Sequence, residues 1–396
     1  MTIDSVACPA VAVLADDLSG AAEAASTFLG RRPQPTLHLD PRTARHDGVT
    51  VVDLNTRTLT KVDAQNAVRA ALEVIPPDAL VVAKVDSLLR GHVGGWADVL
   101  AERGPVVVAA ALPALGRTVH AGVLHVDGVP LHQTRAWHAE RSSPPASIAD
   151  VFGRPTASTT VTADLADRLR EAATGGRIAV CDVATDADLD LILAASRSIP
   201  GAQLMGTSAL AAAVARTLPT GPRDTGSRRP SQILLTVVGT AEPAAAQQVT
   251  ELMRNGTRHL AVDADHLLDG TADPADLARA LGDGSVVLTV RGAVRPDRSD
   301  AVSAALARFV AAGQAECRPD LMLTGGATAR AVVDAVGLTT LHPVDQVHHG
   351  AVVSIASDGR TVVTRPGSFG DPFSLSAVAR YLAETPSVRT QPKALT

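Results

Sequence analysis

At 396 residues the chain is longer than one hydrophobic core usually grows, so two domains are expected. Hydrophobic residues make up 46% of it, enough to fill two cores, but aromatics are only 2%, which excludes a stacking platform for single-stranded nucleic acid and leaves Ala, Val and Leu to supply the volume. A formal net charge of −5 gives no electrostatic footprint for a polyanion, so the ligands to expect are small ones held by local charges.

The amino-terminal segment MTIDSVACPAVAVLADD has no basic region before its apolar stretch and two acids directly after it, so it does not read as a secretory signal. No run of 18 apolar residues follows anywhere, and a cytoplasmic protein with no membrane partner is expected. Cys8, Cys181 and Cys317 lie far apart without a CxxC pair, the pattern of reduced thiols and not of a metal cluster or disulfide framework.

In chain order, residues 11–14, 49–54, 80–83, 106–111 and 178–181 read as strands in the first half, and residues 233–238, 286–290 and 321–323 in the second. Helical periods lie between them: Leu18, Ala21, Ala22, Ala25, Phe28 and Leu29 share one face, and Ala329, Val332, Val333 and Val336 another. Such alternation predicts an α/β fold of two domains, each a largely parallel sheet covered by helices. Residues 217–230, TLPTGPRDTGSRRP, have no apolar period and divide the chain into 1–218, a linker 219–230, and 231–396. Residues 352–355 and 361–364 flank Asp358-Gly359 as a hairpin, and residues from 385 onward read as a loose tail.

Chemistry concentrates where strands end. Ala15-Asp16-Asp17-Leu18-Ser19-Gly20-Ala21 places two acids between a buried strand and a small-residue helix, at the sheet edge where open α/β folds bind ligands. Helix capping is the plain alternative for one acid, less so for two. Lys84-Val85-Asp86-Ser87-Leu88-Leu89-Arg90-Gly91 sets two cations, an acid and a hydroxyl after another strand, a group suited to a carboxylate or phosphate, with an internal salt bridge as the alternative. Asn55-Thr56-Arg57 adds a guanidinium on the same edge, and Arg117 and His120 follow a fourth strand. In the second half, Gly239-Thr240-Ala241-Glu242-Pro243, Thr324-Gly325-Gly326-Ala327-Thr328 and Arg365-Pro366-Gly367-Ser368-Phe369-Gly370-Asp371 are glycine-bearing loops that let backbone amides approach a phosphate. There is no GxxxxGK[ST] and no GxGxxG after the first strand, and Asp16-Asp17-Leu18 does not supply the Asp-x-Asp that a haloacid-dehalogenase phosphatase places after its strand.

The ordered set ADDLSGA, KVDSLLRG, PALGRTVHAGVLHVDGVPL, TGGATA and RPGSFGDP, spread over residues 11–382, resembles the four-carbon acid sugar kinases. The resemblance implies an ATP-dependent kinase of threonate, erythronate or 3-oxo-tetronate acting at the C4 hydroxyl, with Mg²⁺, an acid-binding first domain, a nucleotide-binding second domain, and the active site in the interdomain cleft. It carries the acid motif onto Asp16 and Asp17 as the catalytic pair, and substrate binding onto Asp16, Arg57, Lys84, Asp86, Ser87 and Arg90. Nucleotide contacts fall on Glu242, Gly325, Gly326, Ala327, Thr328, Gly367 and Gly370. The chain departs from the family pattern at Glu242, where a serine is usual, at Ala327, where an acid is usual, and at Arg365, where a lysine is usual. Those departures keep two rivals in view, a non-catalytic sugar-acid-binding regulator and a kinase of another small hydroxy acid. The partners implied are a sugar acid and ATP, with monomer and homodimer both open.

Overall fold

The computed structural model describes residues 10–45, 48–137, 140, 142–223, 228–239, 243–292, 298–367 and 370–384. The chain divides into two compact units, Met1–Gly221 and Pro222–Thr396.

In the first unit the main strands lie in the order Pro35–His38, Val49–Asp53, Val11–Ala15, Leu80–Lys84, Gln203–Gly206, Val106–Ala109, Ile178–Cys181 and Thr156–Thr159, every adjacent pair parallel. The chain leaves Val11–Ala15 for the two strands on one side, then crosses to Leu80–Lys84 on the other. That reversal opens a crevice at the carboxyl end of the first strand. Val11–Ala15 is buried along its whole length, which explains its unbroken apolar run. The helix after it, Leu18–Ser26, is buried on nearly every side. A helix of alanine and glycine is narrow enough to pack against both the sheet and the helix Ser208–Arg216, so few aromatic rings are needed to fill this core.

A separate three-stranded antiparallel meander, Arg117–His120, Val123–Val126 and Val129–Pro130, belongs to this unit and is bridged to it at Val119 and Val183. The sequence reading has a loop here. Its turns are the pairs Ala121 (φ 49°), Gly122 (φ 72°) and Asp127 (φ 50°), Gly128 (φ 81°), the doubly left-handed geometry of tight hairpins. Asp127-Gly128 between valines is the local signal for it, but strands of two to four residues are too short to show a period.

In the second unit the strands run Arg258–Asp263, Val286–Arg291, Leu234–Val238, Asp320–Thr324, Thr361–Arg365, Ala351–Ala356 and Thr340–His348. The first five are parallel and the last two antiparallel. The hairpin Ala351–Ala356 to Thr361–Arg365 turns at Gly359 (φ 87°), where the Asp-Gly pair predicts it. Thr340–His348 escapes pattern reading because Pro343, Asp345 and two register shifts interrupt its alternation. Val238, Leu252, Met322, Val353, Val363 and Leu375 belong to the core of this unit. Among the described residues no helix is long and apolar enough to cross a membrane.

Candidate active site

Parallel register sets the first cluster. Ala15 pairs with Asp53 on one side and Lys84 on the other, and Lys84 pairs with Gly206, so the chain segments leaving these strands emerge side by side. Arg57, 40 residues beyond Asp17, folds back over the first strand because the N–H groups of Thr56 and Arg57 both donate to the Asp16 carbonyl (3.0 and 3.3 Å). Its guanidinium donates twice to Asp16 Oδ2 (3.1 and 2.8 Å) and once to Asp17 Oδ2 (3.0 Å), and lies 3.5 Å from Asp86 Oδ1. Lys84 Nζ stands 3.9 Å from Asp16 and 4.0 Å from Asp17. It crosses the first turn of the helix at Gly20, where a Cβ would come within 1.9 Å of the ammonium. Asp17 also caps that helix, accepting from Gly20 N (2.9 Å).

The loop after Lys84 is organised by Asp86. Its Oδ2 accepts from Leu88 N (3.0 Å), Arg90 N (3.2 Å) and Arg90 Nε (2.7 Å), and its Oδ1 accepts from Arg90 Nη2 (2.8 Å). These bonds hold Leu89 (φ 64°) and Gly91 (φ 81°) in left-handed backbone. Both tryptophans of the chain brace this edge: Trp96 Nε1 donates to Thr56 Oγ1 (3.2 Å) and Trp137 Nε1 to the Leu88 carbonyl (2.9 Å). The internal salt bridges that the sequence allows as the alternative are present in this loop, and they fix the positions of its charges.

The two buried acids respond oppositely. Burial is the dominant influence on Asp16 and raises its pKa above the ordinary aspartate value, Arg57 and Lys84 pulling down and Asp17 and Asp86 pushing up. Burial also opposes ionisation of Asp86, but the charges of Arg90, Arg57 and Lys84 and the Arg90 hydrogen bonds outweigh it and hold its pKa well below the usual range. The stabilisation from Asp86 is therefore complete above the unfolded aspartate pKa and is lost as pH falls through the lowered folded value. Asp86→Ala is expected to lower stability by about 3 kcal/mol, because it leaves Arg90 uncompensated in a partly buried loop. Thermal unfolding at neutral pH checks this, and an unchanged Tm would show that the pair contributes nothing.

The second cluster lies on the other unit. Val238, Thr324 and Arg365 end three adjacent parallel strands in register. Gly239 N donates to the Thr324 carbonyl (3.2 Å) and Gly325 N to the Arg365 carbonyl (3.0 Å), so three loops converge. Gly325 (φ 93°) caps the helix Gly326–Ala335, whose first backbone bond runs from Ala329 N to Gly325 O (2.8 Å). The N–H groups of Gly326, Ala327 and Thr328 precede that bond and are the orphan donors of a helix start. Thr328 Oγ1 donates to the Gly239 carbonyl (3.4 Å), and a Cβ at Gly239 would meet it at 2.0 Å.

Two features here escape the sequence reading. Arg365 is fully buried, its Nη1 donating to Gln248 Oε1 (2.7 Å), while Gln248 Nε2 donates to the carbonyls of Gly370 (3.3 Å) and Asp371 (2.9 Å). Burial pushes the Arg365 pKa down to about 10. This arginine occupies the place of the usual lysine and ties the strand end to the Gly370 loop. Ser374 Oγ lies 2.6 Å from His348 Nε2, beside Gly370 (φ 92°). Gly367 is half-buried next to this network. Glu242 lies outside the described residues.

Of the expected residues, Asp16, Asp17, Arg57, Lys84, Asp86 and Arg90 form one contiguous charged group, with Ser87 at its margin accepting from Arg117 Nη1. Gly325, Gly326, Ala327, Thr328, Gly367 and Gly370 lie on the other unit. His120 lies on the meander, exposed, with its ring edge-on to His125 (centroids 6.4 Å apart). Among the described residues, no three His, Cys, Asp or Glu side chains are grouped to hold a metal ion by themselves.

Comparison with known proteins follows the same division. A sugar-binding N-terminal domain model matches residues 11–215, and a nucleotide-binding C-terminal domain model matches residues 235–375. A D-threonate kinase of Cupriavidus necator is 30% identical over 92% of this chain and 95% of its own. A 3-oxo-tetronate kinase of the same organism is 27% identical over 94% and 97%. A solved Haemophilus influenzae protein shares the fold, with a TM-score of 0.70 at 20% identity, over 94% of this chain and all of the other.

Proposed function

Since the chain belongs to the four-carbon acid sugar kinase family and is a sugar-acid kinase, we propose that it transfers the γ-phosphoryl group of ATP to the C4 hydroxyl of a four-carbon aldonic acid such as threonate, erythronate or 3-oxo-tetronate. The observation that carries this reading is the charged group at the carboxyl ends of the first unit's strands, three aspartates held by Arg57, Lys84 and Arg90. On this reading the acid lies against Asp16, Arg57, Lys84, Asp86, Ser87 and Arg90. The nucleotide phosphates lie against Gly325, Gly326, Ala327, Thr328, Gly367 and Gly370, and Glu242 is expected to join them.

Phosphoryl transfer asks mainly for positioning and charge stabilisation. The hydroxyl oxygen forms a bond to the γ-phosphorus as the bond to the bridging oxygen of ADP breaks, and the hydroxyl proton goes to a carboxylate. Asp17 is that carboxylate in this scheme. Its side chain keeps 13% exposure, and each of its oxygens has one hydrogen bond and a lone pair to spare. Asp16, at 5%, has one oxygen filled by Arg57 and the other sealed from solvent, so it orients the guanidinium from beneath. Lys84, held between both acids, neutralises charge on the moving phosphoryl group. Magnesium, when bound, would supply positive charge that offsets the charge developing on the nucleotide phosphates. The hard carboxylate oxygens of Asp17 would suit such an ion.

A coupled ADP-release screen over three- to six-carbon aldonic and 3-oxo acids tests this. Turnover is expected to peak with four-carbon acids, and ADP release that no acid stimulates would sink the reading.

A further inference from the structure

Resting on the reading that the second unit's glycine loops hold the nucleotide, we propose that Gln248 is a positioning residue for ATP, setting the Gly370 loop by a relay that starts at Arg365. The Arg365 carbonyl accepts from Gly325 N (3.0 Å), and its buried guanidinium donates through Nη1 to Gln248 Oε1 (2.7 Å). Gln248 is 1% exposed and sits on the helix Pro243–Arg254, which begins shortly after Gly239. It passes the contact on, its Nε2 donating to the carbonyls of Gly370 (3.3 Å) and Asp371 (2.9 Å). One glutamine thus couples the strand end beside Gly325 to the loop at Gly370.

The chemistry leaves one arrangement. A guanidinium only donates and a carbonyl only accepts, so the side chain between them must accept at one end and donate at the other, which fixes the orientation of the amide. Glutamate has the same shape but no donor. It would hold Arg365 more strongly and turn lone pairs toward both carbonyls. Burial pushes the Arg365 pKa down to about 10, so a carboxylate beside it relieves that cost and Gln248→Glu is expected to fold. Gly370 and Asp371 are exposed, so carbonyls that lose the amide turn to water and the loop shifts while the core stays intact. On its other side the loop is backed by Ser374, whose Oγ lies 2.6 Å from His348 Nε2 and would collide with a Cβ at Gly370 (φ 92°).

Calorimetry of ATP binding with magnesium, steady-state kinetics and thermal unfolding of the full-length protein test this role. In Gln248→Glu, Kd and KM for ATP should rise about 10- to 100-fold, while KM for D-threonate stays within about 2-fold and Tm does not fall. Gln248→Met, neutral and of similar length, should lose ATP affinity too, and it serves if the glutamate variant folds poorly. A merely structural role would lower Tm and leave the folded variants with wild-type ATP affinity, which overturns the proposal. Loss confined to Gln248→Glu would be charge repulsion of the phosphates and overturns it as well. Wild-type ATP affinity in both Gln248 variants and in Gly325→Val removes the nucleotide-site reading itself, an outcome separate from the others.

Discussion

Asp17→Asn is expected to lower kcat by about 10²- to 10⁴-fold while leaving KM for ATP nearly unchanged, the usual scale for loss of a general base. Asparagine preserves the shape and can still cap the helix at Gly20, but it gives up the pair with Arg57 as well as the proton acceptor. The comparison with Asp16→Asn, which also loosens Arg57, is needed to separate the two. Asp16→Asn should behave differently. It weakens the hold on Arg57, which reaches Asp16 through two hydrogen bonds, and its effect should appear mainly in KM for the acid. Single-turnover phosphoryl transfer at saturating substrates separates the two. Wild-type rates in Asp17→Asn would make this residue a helix cap and ligand holder, and a large kcat loss confined to Asp16→Asn would exchange the roles.

Gly325→Val is expected to abolish nucleotide binding. At φ 93° a β-branched residue is strained, and its side chain would stand where the backbone must approach a phosphate. The change lies on the second unit, whereas the charged group proposed to bind the acid lies on the first, so calorimetric affinity for D-threonate should survive and report that the rest of the protein is folded. Undiminished ATP affinity would place the nucleotide at another set of loops.

Much of this molecule can be read before it is folded. Apolar runs at residues 11–14, 80–83 and 321–323 alternate with helical periods, and that alone predicts parallel α/β layers, because a strand buried on both faces must be continuously apolar. The Asp358-Gly359 turn is equally local, since only a few residue types tolerate its left-handed backbone. Sequence also determines that Asp16-Asp17 and Lys84–Gly91 each follow a strand, which puts their charges at a sheet's ligand-binding edge.

Which charges meet is a different matter. Arg57 reaches Asp16, Asp17 and Asp86 because the chain reverses direction across the strand Val11–Ala15 and sets Asp53 and Lys84 on either side of Ala15. Strand order depends on long crossovers, and no local period encodes it. The meander that carries Arg117 is similarly hidden, because its strands are shorter than any periodic signal. The Arg365–Gln248 link spans 117 residues of sequence and exists only through packing. The sequence by itself determined the types of chemistry and the strand ends that bear them. The tertiary structure alone decided that three aspartates share one guanidinium and that Asp17, not Asp16, keeps access to solvent, because neighbours in a parallel sheet are chosen by topology and accessibility by what packs above each carboxylate.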